Sequence, residues 1–223
     1  MIISMRYDAI IFDLDGTLLD TIEDIAAAIN SALEKCGYGH RYDREGTKHL
    51  IGDGADALVR RALKEKSGDL QAFTELKGFY MPIYREHNCD KAKPFEGLVE
   101  TLISLEKEGV SLFVATNKPD ALAQVVLAKK MGEVHFKAIV GVKEGDPVKP
   151  NPYSVNLIMD RFGLEKERTL YVGDSHVDLD TASNAGLDAC LCLWGYDFYT
   201  DGLKARAGYL AKVPADLLEI VRG

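Results

Sequence analysis

Tyr7-Asp8-Ala9-Ile10-Ile11-Phe12-Asp13-Leu14-Asp15-Gly16 is a short apolar run that ends in acids and a glycine. Such a run predicts a buried strand, with Asp13 and Asp15 near its carboxyl end. A helix follows. Thr21 and Asp24 have capping-box spacing, and Ile22, Ile25, Ala26, Ile29 and Leu33 mark one face at helical period as far as Gly37. Residues 40–52 read as a loop or short helix. Two further amphipathic stripes run from Asp53 through Leu63, and from about Leu70 to Glu86 with Pro82 as a place for a kink. Residues 20–88 therefore predict helices and no strand.

The texture changes after Lys91. A helix carrying Leu98, Leu102 and Leu105 leads to the strand VSLFVAT, and a second helix opens at Pro119. FKAIVGV reads as a strand, the residues before Gly163 as a helix, TLYVGD as a strand, the segment to Gly186 as a helix and DACLCLW as a strand. The tail is less patterned, although Pro214 to Val221 looks helical. Strands alternating with helices predict an α/β fold with a doubly wound parallel, Rossmann-like core sheet. The all-helical block is an inserted second domain, with residues 1–17 and 92–223 as the core and 18–91 as the insert.

The chain has 223 residues, of which 47% are hydrophobic and 28% charged, values that fit a globular protein and exclude collagen or a coiled coil. No apolar run approaches the roughly 18 residues of a membrane span, and the first ten residues lack the apolar stretch of a signal peptide. A net charge of −8 disfavours a nucleic-acid surface, yet leaves room for a small anionic substrate at a locally positive site. Cys36, Cys89, Cys190 and Cys192 have no zinc or redox spacing; reduced thiols in a cytoplasmic protein are the expectation. The sequence leaves the oligomeric state open.

Open α/β sheets bind ligands beyond the carboxyl ends of their strands. Asp13, Asp15, Thr116, Asn117 and Asp174 all stand at such ends, and Lys149 precedes the helix before the strand that ends in Asp174. Crowded carboxylates repel each other unless a cation is present, and hard oxygen ligands suit Mg²⁺ with a phosphorylated substrate. Thr116 and Asn117 can donate to a phosphate, and Lys149 adds a positive charge. Lys143 is a rival for that place; the prolines flanking Lys149 favour the latter. An aspartate can act as the nucleophile of phosphoryl transfer, with a second acid protonating the leaving alcohol.

Asp13-Leu14-Asp15-Gly16-Thr17-Leu18-Leu19-Asp20 resembles the first motif of the haloacid dehalogenase superfamily. Thr116 resembles its second and Lys149 its third, and Gly173-Asp174-Ser175 through Asp178, with Ala182, Ala185 and Gly186, its fourth. Gly52-Asp53-Gly54-Ala55 and Arg60-Arg61-Ala62-Leu63 look like the phosphoglycolate phosphatase subgroup. The resemblance implies Asp13 as nucleophile and Mg²⁺ ligand, and Asp15 as general acid and base whose backbone carbonyl also meets the metal. It implies Thr116 and Lys149 as holders of the phosphoryl group with Asn117 nearby, Asp174 as a metal ligand and Asp178 as its support. The helical insert resembles the family's smaller cap. Asp15 as a second acid favours a phosphatase or phosphomutase over a dehalogenase.

Phosphoglycolate is the leading substrate on this basis. A β-phosphoglucomutase-like mutase would use the same Asp13, and a phosphonate hydrolase would need a cap lysine such as Lys48. A receiver-like signalling module also gathers acids, a threonine and a lysine around Mg²⁺, but the insert and Asp15 oppose it; an inactive scaffold is opposed by the intact motif. Asn117-Lys118-Pro119-Asp120 matches a guanine-reading motif, yet no phosphate loop accompanies it. Gly52-Asp53-Gly54 follows no strand, which removes a dinucleotide reading. Lys48, His49 and Arg60 lie near the glycines of the insert, where one of them could touch substrate, although a solvated face is the commoner fate of such residues.

Overall fold

The computed structural model describes residues 5–223, which fall into two compact units. One comprises the chain up to Asp20 together with Pro94–Gly223, and the other is Thr21–Lys93. The expected cuts after residue 17 and before residue 92 lie a few residues from these crossings.

In the first unit, β1 (Ala9–Phe12) is followed by β2 (Leu19–Asp20). The second unit holds α1 (Ile22–Lys35), α2 (Arg44–Lys48), α3 (Gly54–Ala62) and α4 (Leu70–His87). β3 (Lys93–Pro94) marks the return crossing and pairs with β2 in a two-stranded sheet. Of these strands only Asp20 falls within residues 20–88, where helices alone were expected and where the structure otherwise has only helices; two-residue strands carry no periodicity to read. The first unit continues with α5 (Leu98–Lys107), β4 (Ser111–Pro119), α6 (Asp120–Lys130), β5 (Phe136–Val142), α7 (Tyr153–Phe162), β6 (Thr169–Gly173), α8 (His176–Ala185) and β7 (Asp188–Cys192). It closes with α9 (Asp201–Lys204), β8 (Tyr209–Ala211) and α10 (Asp216–Arg222).

Six strands form one sheet in the order β5-β4-β1-β6-β7-β8, and every neighbouring pair is parallel. β1 is central, with Ile10 beside Leu112 of β4 and Leu170 of β6. Its four residues are all buried, as a strand covered on both faces requires. Ala9 and Ile11 join Phe113, Ala115 and Tyr171 in a cluster with Val155 and Ile158 of α7 and Ala182 and Ala185 of α8. Ile10 and Phe12 point the other way by strand alternation. Strand β8 and helix α9 went unread because they are only three and four residues long, whereas the longer α10 falls where a helix was expected.

In the helical unit, α1 packs along α4, and Tyr80 stacks on Tyr84 with centroids 5.3 Å apart. Asn30 fixes the loop after α1 by bonding both backbone groups of Tyr42, at 2.7 and 2.8 Å. Helix α4 starts on an Asp69 cap that accepts from Gln71 and Ala72, and Pro82 lies inside it without ending it. The Thr21–Asp24 capping box is not formed: Thr21 makes no side-chain cap bond. The buried Asp24 carboxylate instead accepts from the backbone of Lys91 and Ala92, at 2.9 and 2.8 Å, so its oxygens are satisfied by the returning chain. Among the described residues, no helix is long and apolar enough to cross a membrane.

Candidate active site

The carboxyl end of β1 delivers Asp13 beside β6, where its amide donates to Val172 O at 2.9 Å. Asp13 Oδ1 lies 2.8 Å from Lys149 Nζ. That contact is a buried ion pair. Burial pushes the Asp13 carboxyl up to about 6; Lys149 opposes the shift, while Asp178 and Asp15 add to it.

Lys149 is buried, whereas its rival Lys143 is exposed. The ammonium also reaches Asp178 Oδ1 at 2.8 Å and Tyr171 Oη at 3.1 Å. Burial alone would lower its pKa, but Asp13 and Asp178 outweigh burial and hold it well above the ordinary lysine value. It therefore stays a cation next to Asp13. Asn117, expected near a phosphoryl group, has its amide on the backbone of Lys149: Oδ1 accepts from Lys149 N at 2.7 Å and Nδ2 donates to Lys149 O at 3.2 Å. Its visible work is to hold the lysine in place.

Asp178 has both oxygens occupied. Oδ1 takes Lys149 and the Tyr171 hydroxyl, and Oδ2 takes the backbone of Asp174 and Ser175 and the Ser175 hydroxyl. With Ser175 it forms the capping box of α8. The Ser-x-x-Asp spacing at 175–178 was the available signal for this cap. Gly173 leaves the necessary room, because a Cβ there would overlap Asp178 Cβ and Cγ.

Asp174 is buried and set by two donors, the Thr17 hydroxyl on Oδ1 at 3.1 Å and Tyr196 N on Oδ2 at 2.7 Å. Burial, then the charges of Asp178 and Asp13, push its carboxyl well above the ordinary value. Oxygens of Asp13, Asp174 and Asp178 lie within 4.8 Å of one another. An all-carboxylate group of this kind, with a buried oxygen on Asp13, fits a hard divalent cation. Since Asp178 is already saturated by hydrogen bonds, Asp13 and Asp174 are the side chains that fit it best.

Asp15 stands more open and pairs with Lys118, whose Nζ lies 3.0 Å from Oδ1 and 3.4 Å from Oδ2. Thr116 is buried within β4, which runs on to Pro119 rather than ending at Thr116 as expected, and accepts from Lys118 N at 3.3 Å. The loop after β7, Leu193 to Asp197, is a second part of the site that periodicity did not reveal. Trp194 Nε1 donates to Thr17 O at 3.0 Å, and Tyr196 Oη donates to Asp20 Oδ1 at 2.9 Å. In the helical unit, Lys48 is ion-paired with Glu45 at 2.9 Å, and Arg60 lies over the Phe73 ring.

Residues 10–192 match the model of the haloacid dehalogenase-like hydrolases. The chain belongs to this family. It is 33% identical over 222 residues to the phosphoglycolate phosphatase of Mannheimia succiniciproducens, covering 97% of this chain and 99% of the relative. It is 34% identical over 191 residues to the phosphoglycolate phosphatase of Aquifex aeolicus, covering 84% and 85%. A crystal structure from Lactobacillus delbrueckii subsp. bulgaricus, provisionally named a phosphoglycolate phosphatase, superposes with a TM-score of 0.90 at 29% identity, covering 97% of this chain and 99% of that one. Within the haloacid dehalogenase-like hydrolases the chain is thus phosphoglycolate phosphatase-like, a phosphatase of phosphoric monoesters.

Proposed function

We propose that this phosphatase hydrolyses a small phosphorylated metabolite, with 2-phosphoglycolate as the leading substrate, through a phosphoryl group carried on Asp13 and with Mg²⁺ as cofactor. The observation that carries the proposal is the buried Asp13 oxygen 2.8 Å from a lysine held as a cation. The names of the relatives from Mannheimia and Aquifex supply the substrate.

Asp13 forms the bond to phosphorus while the ester P–O bond breaks, and the departing oxygen takes its proton from Asp15. Water then attacks the phosphoryl group on Asp13, Asp15 takes up the proton, and inorganic phosphate leaves with Asp13 restored. Lys149 and Thr116 hold the transferring oxygens, and Asn117 and Asp178 hold Lys149. Mg²⁺, held by Asp13, Asp174 and the backbone carbonyl of Asp15, would neutralise the carboxylates and the phosphate charge. The helical unit would act as the cap that selects substrate. We take the cytoplasm as its compartment, in keeping with four free cysteines, and small phosphate esters rather than nucleic acid or membrane as its partners.

Phosphate release from a panel of esters, including 2-phosphoglycolate and hexose phosphates, with Mg²⁺ and with a chelator, tests the proposal. Many turnovers per chain that need Mg²⁺ are expected, fastest with 2-phosphoglycolate. Conversion of a hexose phosphate to its isomer without release would favour a mutase, and a single phosphorylation without turnover would favour a receiver.

Two further results are expected of the cation. A carboxyl near pKa 6 must lose its proton before it can ligate, so binding should release protons and weaken as pH falls. Competition at Asp13 alone predicts about tenfold weaker Mg²⁺ affinity at pH 5 than at pH 7, measurable by calorimetry in buffers of different ionisation heat. Asp174→Asn removes one of the crowded acids and one ligand. The variant should melt no lower than wild type without metal and lose most of the rise in melting temperature that Mg²⁺ gives the wild type. A full Mg²⁺-induced rise in Asp174→Asn would remove Asp174 from the ligand set.

A further inference from the structure

From Phe113 beside Ala138, strand β4 keeps parallel register with β5 as far as Ala115 beside Val140, and regains it at Pro119 beside Val142. The stretch between carries two more residues on β4 than on β5, so Thr116, Asn117 and Lys118 form a bulge. Gly141 permits it, since a Cβ there would lie 2.7 Å from Lys118 O and 2.5 Å from Asp120 Cα. Bulges of this kind re-aim side chains beside active sites. All three bulge residues are buried, and two of them turn to the site: Asn117 to Lys149, Lys118 to Asp15.

The Lys118 side chain is 1% exposed and Asp15's is 21% exposed. A buried ammonium is costly unless it is paired, and this one sits 3.0 Å from an oxygen of Asp15. We infer that Lys118 is a positioning residue for Asp15: it anchors the carboxylate that exchanges a proton with the leaving oxygen, from the strand side of the site. The inference rests on the proposed role of Asp15 as general acid. It goes beyond pairing as such, because proton transfer needs the donor within hydrogen-bond reach of the leaving oxygen, and a buried cation fixed at 3.0 Å sets where that donor sits.

Leaving groups of different basicity test this. An alkyl phosphate leaves as a strongly basic oxygen and needs the acid, whereas p-nitrophenyl phosphate leaves as a stable phenolate and hardly does. In Lys118→Met, kcat/KM for 2-phosphoglycolate should fall by roughly 30-fold or more, within the ~10²–10⁴ range of general acid catalysis, while kcat/KM for p-nitrophenyl phosphate falls less than about fivefold. In an Asp15→Asn background the same substitution should have little further effect on either ester. Lys118→Gln serves as a second variant, and melting temperatures of both establish that they fold. Equal losses on the two esters, no loss on either, an undiminished loss in the Asp15→Asn background, or failure of both variants to fold would each overturn the inference. If the wild type turns over neither ester, the phosphatase chemistry proposed above falls first and takes this role with it.

Discussion

Asp13→Asn is expected to lower phosphate release by at least about a thousandfold while leaving the fold intact. The amide has the shape of the carboxylate but no electron pair basic enough to attack phosphorus, so no covalent intermediate forms. Stability should hold because the substitution leaves no orphaned charge. Lys149 loses one carboxylate at 2.8 Å and keeps another, Asp178, at the same distance. Asp174 also loses a like-charged neighbour that helps to hold its carboxyl up. The melting temperature of the metal-free variant should therefore match or exceed that of the wild type. Acid quenching with a ³²P-labelled ester should trap label on the wild-type chain and none on the variant. Substantial turnover by Asp13→Asn would transfer the nucleophile's role elsewhere.

The second large effect is expected at a residue with no functional group. A Cβ on Gly195 would overlap Asp174 Cβ and lie 2.5 Å from Gly16 O, closer than real contacts allow. Neither neighbour can yield cheaply: Asp174 is held by Thr17 and by the amide of Tyr196, the residue next to the substitution. Gly195→Ala must therefore push the loop away, and Tyr196 N leaves Asp174 Oδ2 with it. Overpacking costs about 1–3 kcal/mol, and loss of the partners that orient a ligand typically weakens a metal by ~10–100-fold. A drop in Mg²⁺ affinity of that size is expected, with a kcat loss that high Mg²⁺ partly restores. Unchanged affinity would show that the loop after β7 does not set Asp174.

Both predictions bear on how much was legible beforehand. Asp13, Asp15 and Asp174 could be found because strand ends in a parallel sheet are where ligands bind, and each strand announced itself as an apolar run; Lys149 was found by its prolines and by resemblance to a family motif. What escaped depends on contacts that no local pattern encodes. Lys118 follows a strand expected to end at Thr116, and its direction is set by a bulge whose partner is Gly141. Gly195 and Tyr196 lie in an irregular loop, and only the folded chain reveals their place beside Asp174. The capping box at Ser175 and Asp178 was visible as spacing, while Thr21 and Asp24 had the same kind of spacing without the geometry. There the deciding factor was the chain returning at Lys91 and Ala92 to claim the carboxylate of Asp24.

The central position of β1 also bears on how the chain assembles. Ile10 must pair with Leu112 and Leu170, partners that lie roughly 100 and 160 residues downstream. A ribosome adding roughly 5–20 residues per second leaves an apolar strand waiting several seconds for its first neighbour. The intervening helices find their contacts locally, and local contacts form fast. During synthesis the helical unit is thus expected to fold ahead of the sheet, while β1 remains the segment most in need of a chaperone's shelter.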